Sequence, residues 1–222
     1  ENALVMHHSI KDWPPMERPR ERLAHAGPAH LSDAELLAVM LGTGLRGQNV
    51  LQLAQSLLDE FHGLAGLLQS SPSGLQKAKG LGAARRSKLL AVLEMARRVL
   101  LQKMQEREVL NNPDTVKQFL QLQMGAYSQE VFAVVFMDAQ YRLLDFHEMF
   151  RGTLNQTSVY PREVVKLALE LGAAAVILAH NHPSGDVRPS AADSALTRTL
   201  QTALSMVDVK VLDPIIVGPG QH

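Results

Sequence analysis

The run His180-Asn181-His182-Pro183-Ser184-Gly185, followed by Pro189-Ser190 and then Asp193, constrains this chain more than any other stretch. An apolar segment, Ala173 to Ala179, leads into it and predicts a buried strand. Side chains alternate along a strand with period two, so histidines one residue apart point to the same side of it. Pro183 and Gly185 force a turn, and Pro189-Ser190 opens a helix that carries Asp193 in its first turn. Two imidazoles and a carboxylate then converge on one point, which is the ligand set of a catalytic zinc with a fourth position left for water. Asp193 has a second reading. Ser190-x-x-Asp193 approximates a capping box, and a carboxylate in the first turn suits the helix dipole. The two roles are compatible, because one carboxylate oxygen can bind metal while the other accepts a backbone N–H.

Elsewhere the pattern is α+β. The first half predicts helices only. Ser32 caps one, with Glu35 at the reciprocal capping position and Leu36, Leu37, Met40 and Leu41 as its apolar face, before Gly42-Thr43-Gly44 ends it. A second covers 49–61 with Leu51, Leu53, Ala54, Leu57 and Leu58 inward, and a short piece covers 74–79. After Gly80-Leu81-Gly82 a long helix is expected over 83–108, with Leu89, Val92, Leu93, Ala96, Val99 and Leu100 forming one core face. Pro113 disfavours helix at the residue before it and marks the domain division, giving a helical domain 1–110 and a second domain 111–222. The second half predicts a helix over 114–123, strands over 131–137 and 141–151, a helix from Pro161 that ends before Gly172, the strand into His180, a helix from Ser190 to Met206, and a closing strand over 207–217.

Composition narrows the classes. The chain has no cysteine, which excludes disulfides and every Cys-ligated zinc site, the zinc deaminase pattern among them. That suits a reducing compartment, and a cytoplasmic location is expected. No apolar stretch reaches the ~18 residues of a membrane span, and no segment has the order of a signal peptide. Because the first residue is Glu1, further N-terminal sequence is expected to precede it. The net charge of zero hides an asymmetry: residues 1–110 carry 14 Lys+Arg against 11 Asp+Glu, and residues 111–222 carry 8 against 11. Nine basic residues and two acidic ones lie between Lys77 and Arg107, where a polyanion could be met.

His-x-His, ten residues and Asp, with a serine three before the Asp, resembles the JAMM motif of the MPN+ zinc metalloproteases. Val159-Tyr160-Pro161-Arg162-Glu163-Val164, His180 to Gly185, Pro189-Ser190 and Asp193 narrow the resemblance to the bacterial RadC-like family. It extends through the first half from Glu17-Arg18-Pro19-Arg20-Glu21-Arg22 and covers nearly the whole chain. The resemblance implies a cytidine-deaminase-like, MPN-type mixed sheet flanked by helices, following the helical domain. It implies one Zn2+ per chain on His180, His182 and Asp193, and a protein or peptide substrate cut at a peptide or isopeptide amide. It also requires a glutamate near the first strand of the domain. Glu130, directly before Val131-Phe132-Ala133-Val134, matches that place, and Glu148 in the second strand is the rival. Glu130 then carries the proton from water to the leaving amine, and the Ser190 hydroxyl donates to the oxyanion. One departure stands in Leu212-Asp213-Pro214, where such sequences usually have a histidine after the aspartate. The chain ends soon after, so the last family segment is expected to be truncated.

In the basic half, Gly80-Leu81-Gly82 before a helix with Arg85, Arg86 and Lys88 resembles a helix-hairpin-helix DNA-binding element. Gly80 and Gly82 would let the backbone approach duplex DNA closely, with the helix N-terminus and the cations favouring phosphate. A tight turn with a solvated basic face explains the same residues, and Gly42-Thr43-Gly44-Leu45-Arg46 is a weaker second copy. Aromatic residues for base stacking are absent nearby. Three functions therefore compete: a zinc-dependent amide hydrolase, a DNA repair or recombination accessory protein with a non-catalytic metal site, and a metal-dependent nuclease. The oligomeric state is left unassigned.

Overall fold

The computed structural model describes residues 10–106, 108–109, 112–153 and 159–219. Arg107, which bounds the basic stretch, and the expected division at 110/111 fall outside them. By packing, the chain forms two compact units that meet inside its longest helix, between Val92 and Leu93.

The first unit is helical: α1 (Pro19–Ala26), α2 (Asp33–Leu41), α3 (Val50–Glu60), α4 (Leu64–Leu68), α5 (Pro72–Lys77) and the start of α6 (Ala83–Glu106). Helix α2 begins in the expected capping box, Ser32 Oγ accepting from Glu35 N–H and Glu35 Oε2 from Ser32 N–H. Helix α3 has the same device in Asn49 and Gln52. Leu37, Leu41, Leu53, Leu57, Leu67, Leu75, Leu81 and Leu89 build the core of this unit. Helices α1 and α4 were not legible in the sequence: α1 has a single leucine among its eight residues, and α4 is five residues long.

The long helix corrects one expectation. Of its predicted core face, Leu89 is buried, but Val92 and Val99 are exposed, as is the neighbouring Met95. Only the helix ends meet a core, Leu89 in the first unit and Leu100, Leu101 and Met104 in the second.

The second unit is a mixed sheet between two helical layers. Its elements are α7 (Pro113–Met124), β1 (Val131–Met137), β2 (Leu143–Arg151), α8 (Pro161–Leu171), β3 (Ala175–Asn181), α9 (Ala191–Ser205), β4 (Lys210–Val211) and β5 (Ile215–Val217). The strand order is β2-β1-β3-β4, with β5 also on β3. Strand β1 runs antiparallel to β2 and β3, while β3 is parallel to β4 and β5. Both β1 and β3 are buried throughout, so both faces are apolar. Val131, Ala133, Val135, Ile177 and Ala179 face α7 and the end of α6, while Phe132, Val134, Phe136, Val176 and Leu178 face α8 and α9.

The closing strand is two strands. Pairing advances from Val176 to Ala179 on β3 while the partner advances from Val211 to Ile215, one residue more. Pro214 sits in that excess, where its missing N–H interrupts no ladder bond. Tyr141 adopts φ 56 in a turn closed by Asp138, which starts β2 later than the expected 141. Among the described residues, no helix is long and apolar enough to cross a membrane.

Candidate metal centre

Strand parity aims the first ligand. Val176 and Leu178 face α8 and α9, so His180 does too. His182 lies just past β3, yet its N–H donates to the Val217 carbonyl at 2.8 Å and keeps the phase of the strand. Gly185, at φ 86, closes the following turn with its N–H on the His182 carbonyl. Helix α9 then starts from Ser190, whose Oγ accepts from Asp193 N–H at 3.1 Å while Asp193 Oδ2 accepts from Ser190 N–H at 2.7 Å. The capping box places Asp193 against the end of β3.

Asp193 Oδ2 lies 3.3 Å from His180 Nε2 and 3.2 Å from His182 Nε2. One ligand atom from each residue lies within 4.8 Å of the other two, a group that could hold a metal ion. Sequence reasoning assigned the metal and the N–H to different carboxylate oxygens. In the structure Oδ2 faces both imidazoles and also takes the Ser190 N–H.

The donor chemistry fits a cation. His180 and Asp193 are buried, and His180 Nε2 has no hydrogen-bond partner. An orphaned buried nitrogen aimed at a carboxylate and a second imidazole is a group whose unmet polar capacity a cation would satisfy. Burial pushes the His180 imidazole below its ordinary value, against the pull of Asp193, so its lone pair is available at neutral pH. The His182 Nδ1 contacts the Asp186 carbonyl, which can only accept, so Nδ1 carries a proton and Nε2 is the nitrogen turned to Asp193. Burial alone raises the Asp193 carboxyl, but the Ser190 contacts and the two imidazoles outweigh it and hold it below the usual range.

Glu130, Thr153, His182, Ser184, Ser190 and Asp193 line one cleft of about 480 Å³. Glu130 has the parity of Phe132, on the His180 side, and its charge acts on the His180 imidazole. Glu148 is opposite Ala133 and has the other parity. It accepts from the Tyr127 hydroxyl at 2.6 Å and pairs with Arg151. The sheet therefore separates the rival glutamate from the histidines. Ser190 Oγ is an acceptor in the cap, so its own proton can still point into the cleft.

The basic turn is organised differently. Gly80 adopts φ 89, and a Cβ there would meet Leu53 Cδ1 at 2.7 Å, whereas one on Gly82 would meet nothing within 4 Å. Arg85 donates to the Gly80 carbonyl at 2.7 Å, to Thr43 and to the Gly44 carbonyl at 3.2 Å. Arg86 donates to the Leu81 carbonyl at 2.6 Å. Arg85 thus braces the 80–82 turn against the 42–44 turn. Lys77, Lys79 and Lys88 are the exposed cations around it.

The RadC-like JAB domain family model matches residues 110–222, and the UPF0758 N-terminal model matches residues 10–87. The chain belongs to the RadC-like JAB domain family. Its relatives match over nearly their whole length. A UPF0758 protein of Variovorax paradoxus is 58% identical, covering 96% of this chain and 95% of the relative. One from Leptothrix cholodnii is 57% identical over 94% of each chain, and one from Methylibium petroleiphilum is 59% identical over 95% of each. These names carry no activity. Family membership and the largely buried His-His-Asp group together support a metal-dependent hydrolase family.

Proposed function

We propose that the chain is a zinc-dependent hydrolase of peptide or isopeptide amide bonds, with one zinc on His180, His182 and Asp193. The observation that carries this reading is the orphaned, buried His180 Nε2, which faces Asp193, a residue that lines one cleft together with Glu130 and His182. A zinc ion in such a donor set makes hydroxide available near neutral pH. The protein residues do the rest. Glu130 takes a proton from the attacking water and gives it to the amide nitrogen as the C–N bond breaks. The Ser190 hydroxyl donates to the carbonyl oxygen as negative charge develops on it. The absence of cysteine suits such an enzyme in the cytoplasm.

The test has two stages. Purified protein is expected to carry about one zinc per chain, lost in His182→Ala and Asp193→Asn, by mass spectrometry. A panel of amide substrates is then expected to be cut by the zinc form, with Glu130→Gln slower by about 10²–10⁴-fold. Zinc without amide turnover would favour the accessory role, and metal-dependent nicking of DNA the nuclease.

A second reading concerns the first unit. The exposed Lys77, Lys79 and Lys88 around the 80–82 turn support phosphate contact with duplex DNA, with Arg85 and Arg86 holding the turn rather than the ligand.

A further inference from the structure

Asn181 lies between the two histidines and faces away from them. It ends β3 with the opposite parity, so its side chain leaves the sheet on the α7 side. It is 2% exposed. Its Oδ1 accepts from Val131 N–H at 2.6 Å, and its Nδ2 donates to the Gln129 carbonyl at 3.0 Å and the Tyr127 carbonyl at 3.3 Å. Pairing of β1 with β3 reaches only to Phe132 opposite His180. Beyond that point the Asn181 amide takes over from the ladder, bonding the backbone on both sides of Glu130. The chemistry is specific to this side chain. An amide supplies one acceptor and two donor hydrogens, whereas an Asp would set a carboxylate against two carbonyl oxygens.

We propose that Asn181 is a positioning residue that fixes the backbone around Glu130, so that this carboxylate stands over the His180, His182 and Asp193 group. One strand end then does two jobs by parity: even residues hold the metal and the odd one holds the proton carrier. Such a link matters because a displacement of about 1 Å at a reacting group costs roughly 10²-fold in rate. The inference rests on the reading of Glu130 as the proton carrier.

Cobalt(II) loaded into the full chain is the probe, since its visible spectrum responds to ligand geometry and to groups hydrogen-bonding around the ion. Glu130→Gln is expected to alter the spectrum, and Asn181→Ala to reproduce the altered form while still binding cobalt. Amide exchange over 127–131 should rise on the order of 10-fold or more in Asn181→Ala, with the β3 amides unchanged. If Asn181→Ala does not fold, Asn181→Asp takes its place, because it keeps the acceptor for Val131 N–H and loses both donors. A Glu130→Gln change that neither Asn181 variant reproduces overturns the positioning role alone. A Glu130→Gln spectrum identical to wild type sinks the Glu130 reading and takes the positioning role with it.

Discussion

At His180 two demands meet, since a ligand must be neutral and a buried imidazole is neutral by cost of solvation. In the unfolded chain this histidine takes up a proton near 6.5, while in the folded chain it does so only at lower pH. Between those values the unfolded state binds more protons, so acid favours unfolding. The metal-free protein therefore keeps this contribution above pH 6.5 and loses it as pH falls toward the folded value. Melting temperatures of chelator-treated protein are expected to drop more steeply from pH 7 to 5 in wild type than in His180→Gln; parallel curves would refute the assignment. The two histidines and Asp193 were legible because strand parity and a capping box are local rules, both readable from residues within a few positions. Asn181 was not, since its bonds reach residues 50 to 54 positions away. Nothing in the His-Asn-His triplet indicates what the middle side chain touches.

Helix ends and turns were more legible than helix faces. The Ser32 and Ser190 boxes follow from a serine and an acid three residues apart. The face of α6 follows from what packs on it, and periodicity put Val92 and Val99 inside where they are exposed. The glycine turns repeat the lesson: Arg85 and Arg86 read as phosphate contacts or as part of a solvated basic face, yet Arg85 reaches carbonyls 41 and 42 residues back. Arg85→Met should therefore destabilise the first unit by about 1–3 kcal/mol, because it strips donors from several carbonyls at once. Charge reversal at Lys77, Lys79 and Lys88 should instead leave the melting temperature in place and weaken binding of a duplex DNA probe, most visibly at low salt. Melting curves and a DNA-binding titration on both variants separate a brace from a contact. An Arg85→Met protein that melts like wild type would overturn the brace.

At the scale of the molecule, the buried hydrophobic residues among those described form separate clusters. One serves the helical unit, and two flank the sheet of the second unit. The candidate ligands His180, His182 and Asp193 belong wholly to the second unit, so zinc held by them would stabilise that unit by the free energy of its binding. A ligand at 100 times its dissociation constant adds about 2.7 kcal/mol. For a unit of this size that corresponds to a shift on the order of 10 °C. Calorimetry on chelated and zinc-loaded protein should then show two transitions, of which only one moves with zinc, and that movement should vanish in His182→Ala. The stationary transition should be the one that Arg85→Met lowers. Zinc raising both transitions together would mean that the units unfold as one body, with α6, which contributes to both, transmitting the stabilisation from the metal to the leucine core around Leu53 and Leu89.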